Sequence, residues 1–293
     1  MLENCNLCGF NCNVNRNNSL GVCKIGTTIK LGLVSKHFWE EPCISKNKGS
    51  GTIFFSGCNF KCIFCQNYKI SNEYFGKEIS IERLAKIFIE QQNRNVNNIN
   101  LVSPTPYVPM IIEAIKIAKE NGLNIPIVYN TNGFENVETI KSLNGLIDIY
   151  LPDIKYFDDE KSIRYSKVNN YFNVASKAII EMYKQVGNPI FDENGIIKRG
   201  LIIRHLIMPN NIIQTKKILE WIKSSFPKDV YVSIMAQYFP TYKASEDDTI
   251  NRKITKREYE VVLELIKDFE NGYIQELSDC EEEYVPNFDL SNI

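Results

Sequence analysis

From Gly51 onward the chain alternates short apolar runs with segments of helical periodicity. Apolar, β-type runs over residues 52–56, 99–102, 125–129, 146–151, 201–207 and 230–235 predict strands. Apolar residues at helical spacing predict helices between them. These fall over 80–94 (Ile81, Leu84, Ile87, Phe88), 108–121 with Gly122 closing the last turn, 174–185 and 212–226. Thr255 with Glu258 three residues on is a capping box that opens a last helix reaching Phe269. Asn194-Gly195, flanked by apolar residues, predicts a hairpin excursion over 188–198. Residues 1–48 lack such periodicity and read as an irregular segment that needs a metal to hold it.

Six strand–helix units with near-continuous apolar strands are the pattern of a parallel sheet covered by helices. No GxGxxG follows the first strand, so a doubly wound dinucleotide fold has no support. A closed eight-unit barrel takes about 250 residues. The expectation is therefore α/β, an incomplete (β/α)6 TIM-type barrel over 49–293 behind a small Cys-rich metal-binding segment over 1–48. In such folds the reactive groups stand at the C-terminal ends of the strands.

Composition narrows the chemistry. Lys and Arg (34) nearly balance Asp and Glu (35), which argues against a basic nucleic-acid surface. The first residues show no signal-peptide pattern and no stretch has the length of an apolar membrane span, so the expectation is a cytoplasmic protein with neither nucleic acid nor membrane as partner. Asparagine is frequent and is given no functional weight. Eight of the nine cysteines lie in the first 65 residues, and in a reducing compartment such clustering reads as metal ligation. Cys43 and Cys280 stand apart from the clusters and are expected to be unligated.

Directly after the first strand comes Gly57-Cys58-Asn59-Phe60-Lys61-Cys62-Ile63-Phe64-Cys65-Gln66-Asn67. A structural zinc takes four protein ligands, and no fourth Cys or His follows within reach. A cubane cluster held by three thiolates keeps one iron open to another ligand. This CxxxCxxC loop, with aromatic Phe64 before its third cysteine, resembles the defining loop of the radical S-adenosylmethionine (SAM) enzymes. Cys65-Gln66-Asn67 and the motifs below resemble the branch related to pyruvate formate-lyase activating enzymes. The resemblance implies a [4Fe–4S] cluster on Cys58, Cys62 and Cys65, with SAM chelated by its open iron. It further implies reductive cleavage to a 5′-deoxyadenosyl radical, an electron donor of flavodoxin or ferredoxin type, and a glycyl-radical enzyme or a peptide as target.

The other strand ends extend the resemblance. The family's second strand is followed by a turn whose glutamate takes the SAM amino group. Here that stretch is Ser103-Pro104-Thr105-Pro106-Tyr107, without a carboxylate, so Ser103 and Thr105 are the candidates for the contact. Asn130-Thr131-Asn132-Gly133-Phe134 resembles the family's TNG turn. Asp153-Ile154-Lys155 resembles its DxK motif, which implies that Lys155 meets the SAM carboxylate and Asp153 a ribose hydroxyl or a monovalent cation. Arg204-His205-Leu206-Ile207-Met208-Pro209 resembles the RxxxxP segment and brings Arg204 and Leu206 to SAM. An arginine in an apolar strand also calls for an anionic partner on physical grounds. His205 is a candidate proton donor, and Gln237 and Tyr238 are candidates for the substrate or adenine pocket. Glu40 and Glu41 precede the first strand without a spacing argument for a role.

Cys5, Cys8, Cys12 and Cys23 form a separate set, read as four ligands of one centre, either a structural zinc or a second [4Fe–4S] cluster. Two rival readings of the whole accompany the activating one: radical modification of a small molecule or peptide, and an iron–sulfur scaffold or electron-transfer protein without SAM chemistry.

Overall fold

The computed structural model describes residues 1–277 and 286–293; Cys280 lies outside them. Its elements run β1 (Ile29–His37), α1 (Pro42–Ser45), β2 (Ser50–Phe55), α2 (Tyr68–Ser71), β3 (Lys77–Ile79), α3 (Ile81–Asn93), β4 (Ile99–Val102), α4 (Val108–Glu120), β5 (Ile127–Thr131) and α5 (Val137–Ser142). There follow β6 (Ile149–Pro152), α6 (Asp159–Ser166), α7 (Tyr171–Val186), β7 (Ile190–Phe191), β8 (Ile197–Leu206), α8 (Ile212–Ser225), β9 (Tyr231–Met235), α9 (Lys256–Ile266) and β10 (Asn271–Ile274).

One sheet carries the fold, in the order β10-β9-β8-β6-β5-β4-β2-β1-β3, with β7 paired to β8. The six expected strands, β2, β4, β5, β6, β8 and β9, lie parallel, and β10 adds a seventh beside β9. The path ends at β10 and β3 without joining, so the barrel is open. Successive strand residues point to opposite faces. Leu101, Tyr129, Tyr150 and Ile203 go outward under α3, α4, α7 and α8, whose apolar stripes bury Leu84, Ile115, Ile179 and Ile218. Val128, Ile149, Leu151 and Ile202 turn to the inner face, where Cys43 and Ile44 of α1 pack against them. The short helix α1 thus forms a floor on the inner face, near the N-terminal end of β2.

The capping box forms as expected, with Thr255 and Glu258 bonded reciprocally, and the Asn194-Gly195 turn joins the antiparallel β7 and β8. Three differences have clear causes. Within 1–48 the structure has a nine-residue strand, β1, antiparallel to β2; its Lys30, Gly32, Ser35 and Lys36 masked the apolar run. β5 begins at Ile127, after Pro126, which has no N–H for a ladder, and runs on through the polar Asn130 and Thr131. β10 contains Asn271 and Gly272, both poor strand formers, and escapes a reading by propensity. The asparagines also have a structural use: Asn11, Asn13, Asn47, Asn95, Asn170, Asn210 and Asn292 take positive φ, which asparagine tolerates better than most residues.

Candidate functional site

The three-cysteine loop leaves the C-terminal end of β2. Gly57 starts it at φ +81°, where a Cβ would come within 2.5 Å of Ile25, so glycine is required. Backbone bonds from Lys61 to Ser166 and from Ile63 to Tyr165 hold the loop against α6. Phe60 anchors it from below, edge-on to Phe134 and Tyr171. Cys62 Sγ lies 3.0 Å from Ser166 Oγ and Cys65 Sγ 3.2 Å from Ser71 Oγ. Cys58 Sγ accepts from the Phe60 amide at 3.4 Å and faces Asn132 Nδ2 at 3.7 Å.

Burial pushes the thiols up, Cys58 to about 11, Cys62 to about 12 and Cys65 in the same direction, while the Lys155 ammonium opposes the rise in all three. Thiols raised in this way would need a polycationic metal core to be held as thiolates, and a set of three fits a cluster with one open iron. Among the described residues neither these thiols nor those of the N-terminal segment are drawn into a finished ligand sphere.

Beneath the loop the strand ends build a buried charged network. Asp153 ends β6 between two cations: Lys155 Nζ donates to its Oδ2 at 2.6 Å and Arg204 Nε to its Oδ1 at 2.8 Å. Burial alone would raise Asp153, but Arg204 and Lys155 outweigh it and hold the carboxyl below its usual value. Arg204 also donates to Asn130 Oδ1 at 2.6 Å and to Glu40 Oε2 at 3.3 Å. Glu40 Oε1 accepts from Asn100 at 3.0 Å and Asn130 at 3.3 Å. Glu41 stands beside it, 3.9 Å from Arg204. Burial raises both glutamates, with Arg204 opposing. Glu41 Oε2 and Asn100 Oδ1 are buried acceptors without a hydrogen-bond partner among the described residues. Glu40 and Glu41 are the site residues whose place spacing did not reveal: they enter from the turn between β1 and α1, where Glu41 is the N-cap, rather than from a strand's C-terminal end.

The remaining candidates divide by face. Ser103 takes φ +59° at the end of β4. Thr105 and Thr131 instead donate their hydroxyls to Glu135, a fully buried carboxyl that burial raises despite those bonds. Leu206 is half-buried at the end of β8. Gln237 accepts from Gln275 at 3.0 Å. The Phe64 ring packs 5.9 Å from that of Tyr238, whose hydroxyl donates to the Ile250 carbonyl. His205 points away from Arg204, with Nδ1 2.6 Å from the Ile154 carbonyl and Nε2 2.9 Å from Thr215 Oγ1. Burial lowers its pKa to about 4. Both ring nitrogens are engaged, and that geometry gives a proton-donor role no support.

The N-terminal segment docks on the turn after β5. Gly9 donates to the Phe134 carbonyl and Asn136 to that of Leu7, while Cys8 and Glu135 form a β-bridge. Cys8 senses the charges of Cys12 and Cys23, and Cys23 those of Cys5 and Cys12. No helix among the described residues is long and apolar enough to cross a membrane.

An uncharacterized protein of Methanocaldococcus jannaschii is 37% identical over 279 residues, 92% of this chain and 76% of that one. A pyruvate formate-lyase-activating enzyme of Clostridium pasteurianum is 29% identical over 117 residues, 37% of this chain and 46% of that one. A putative glycyl-radical enzyme activating enzyme of M. jannaschii is 34% identical over 110 residues, 37% of this chain and 44% of that one. The crystal structure of Streptococcus suis SuiB bound to precursor peptide SuiA superposes with a TM-score of 0.52 at 14% identity, over 75% of this chain and 46% of that one, a likeness of fold. The Radical SAM superfamily profile matches residues 52–222, more than half of the chain, from the strand that precedes the cysteine loop to the helix behind Arg204. The chain therefore belongs to the radical SAM superfamily, whose members use a [4Fe–4S] cluster and SAM.

Proposed function

We propose that this chain is an activating enzyme that abstracts hydrogen from a glycine backbone in a partner protein, with Cys58, Cys62 and Cys65 as the ligands of its cluster. When bound, the cluster supplies the electron that breaks the sulfonium C–S bond of SAM and so yields the 5′-deoxyadenosyl radical. The observation that carries the reading is the reach of Lys155. Its ammonium acts on all three loop thiols and pairs with Asp153, which Arg204 holds from the other side. A cation placed between the thiols and a fixed carboxylate suits the zwitterionic methionyl end of SAM: Lys155 takes the carboxylate, and Asp153 takes a ribose hydroxyl or a monovalent cation. Phe64 and Tyr238, both buried, shield the loop from water on the β9 side. The similarity to two activating enzymes favours a glycyl-radical target and a flavodoxin- or ferredoxin-type electron donor.

The test is anaerobic. The protein is reconstituted with iron and sulfide, reduced, given SAM and assayed for 5′-deoxyadenosine beside Cys58→Ala. Product from the wild type alone is expected, and none from either overturns the radical reading. Incubation with a glycyl-radical enzyme then tests the target, with the glycyl radical signal in electron paramagnetic resonance as readout. Lys155→Ala is expected to weaken SAM binding by ~10–100-fold, the value of a buried charge-assisted pair.

A further inference from the structure

A buried cation in the N-terminal segment and a buried donor in the cysteine loop have no anionic partner among the described residues. Arg16 is 2% exposed. Its guanidinium donates to three backbone carbonyls, Ile25 at 3.0 Å, Pro106 at 2.6 Å and Gly26 at 2.5 Å, and no carboxylate pairs with it among the described residues. A buried charge without a counter-ion is expensive, and carbonyl dipoles offset only part of the cost. The Arg16 charge acts on the Cys23 thiol and on the buried Tyr107 hydroxyl. Asn59, between Cys58 and Phe60 in the cluster loop, is also 2% exposed. Its Oδ1 accepts from Asn132 at 2.8 Å, whereas its Nδ2, which faces Cys8, is buried without a hydrogen-bond partner of ordinary geometry among the described residues. A third sign is steric: a Cβ on Gly21 would lie 2.9 Å from Cys12 Sγ, so the backbone makes room for that sulfur.

We infer that Cys5, Cys8, Cys12 and Cys23 hold one metal centre as four thiolates, that Arg16 is its counter-ion, and that Asn59 donates to its Cys8 sulfur. A zinc ion, or a cubane with a doubly positive core, carries a net double negative charge with four thiolates, the kind of partner Arg16 lacks among the described residues. The second consequence is mechanical. Asn59 belongs to the loop of the first cluster, and Arg16 bonds the turn after β4, so the N-terminal centre braces two of the segments that line the SAM site. This inference does not depend on SAM cleavage.

The experiment measures iron, sulfide and zinc per chain in the full-length protein purified anaerobically. It compares the wild type with a variant carrying Cys58→Ala, Cys62→Ala and Cys65→Ala, and with one carrying Cys8→Ala and Cys12→Ala. The loop variant is expected to retain about one zinc or about four irons, and the N-terminal variant to lose that quota. A loop variant with neither metal in stoichiometric amount overturns the proposal. Should either variant misfold, iodoacetamide mapping of the wild type decides. Cys5, Cys8, Cys12 and Cys23 are expected to resist alkylation until a chelator is added, and equal labelling before and after overturns the centre. Arg16→Gln is expected to release the metal to a chelator at least ~10-fold faster, with Arg16→Lys restoring part of the retention. Unchanged release in Arg16→Gln removes Arg16 from the site.

Discussion

Arg204 on β8 and Asp153 at the end of β6 are joined twice, by a side-chain bond of 2.8 Å from Nε to Oδ1 and by a parallel backbone bridge between the same two residues. The ion pair is thus fixed to the sheet, and Asp153 has little freedom to leave its two cations.

Arg204→Ala removes a cation that faces Asp153, Glu40 and Glu41 in the interior. The carboxyls left behind are buried and short of compensation. The loss of stability is expected to reach ~3–5 kcal/mol. Urea unfolding of the iron-free protein measures it. Asp153→Asn should cost less, because the amide oxygen still accepts from Arg204.

Gly133 holds the turn after β5 at φ +79°, and a Cβ there would lie 2.8 Å from the Asp153 carbonyl. Gly133→Ala must therefore strain the turn or push back the strand end that carries the Asp153 carboxylate. A stability loss of ~1–3 kcal/mol is expected, with weaker SAM binding by titration calorimetry. Retention of wild-type affinity would uncouple the turn from the site.

Glu135 receives hydroxyl donors from Thr105, Thr131 and, at 3.4 Å, Tyr129 on Oε1, and its Oε2 has no hydrogen-bond partner among the described residues. Glu135→Gln keeps the acceptor and removes the need to bury a charge, so a change within ~1 kcal/mol is expected. Glu135→Ala strands three buried hydroxyls, that of Tyr129 the most weakly bonded, and should cost ~2–5 kcal/mol. Thermal melts of the two variants side by side decide the point.

His205 is held neutral by burial, with its pKa lowered to about 4. The unfolded chain takes up a proton near pH 6.5, and the folded one only near pH 4. Its contribution is therefore complete above about pH 6.5 and is lost as pH falls toward 4, by on the order of 3 kcal/mol. Unfolding free energies at about pH 7.5 and about pH 5 should differ less in His205→Gln than in the wild type. The raised Glu40 and Glu41 shift in the opposite sense, since their buried carboxyls favour the proton and lose stability as pH rises.

The parallel sheet was legible because strands buried on both faces are nearly continuous apolar runs. The cysteine loop was legible because three thiols spaced so closely after a strand suit a metal centre far better than an apolar core. Asp153, Lys155 and Arg204 were legible as charges that interrupt such strands. What stayed hidden depends on long-range closure. Glu40 lies next to Asn100, Asn130 and Arg204, at sequence separations of 60, 90 and 164. Nothing in the local pattern of Trp39-Glu40-Glu41-Pro42 announces an inner-face position. Thr105 and Thr131 suited a cofactor role by position, yet the 3-10 turn after β4 and the pleat of β5 bring their hydroxyls to Glu135. His205 followed the same alternation: one residue beyond Arg204, it faces away from the site. β10 depended on tertiary pairing with β9 that its own residues do not favour.

β2 carries the floor helix at its start and the cysteine loop at its end, and it is six residues long. At about 3.3 Å per residue that is a span of roughly 20 Å. One strand therefore sets the height between the floor helix and the cysteine loop, and the Glu40 side chain reaches up from that floor to Arg204 near the strand ends.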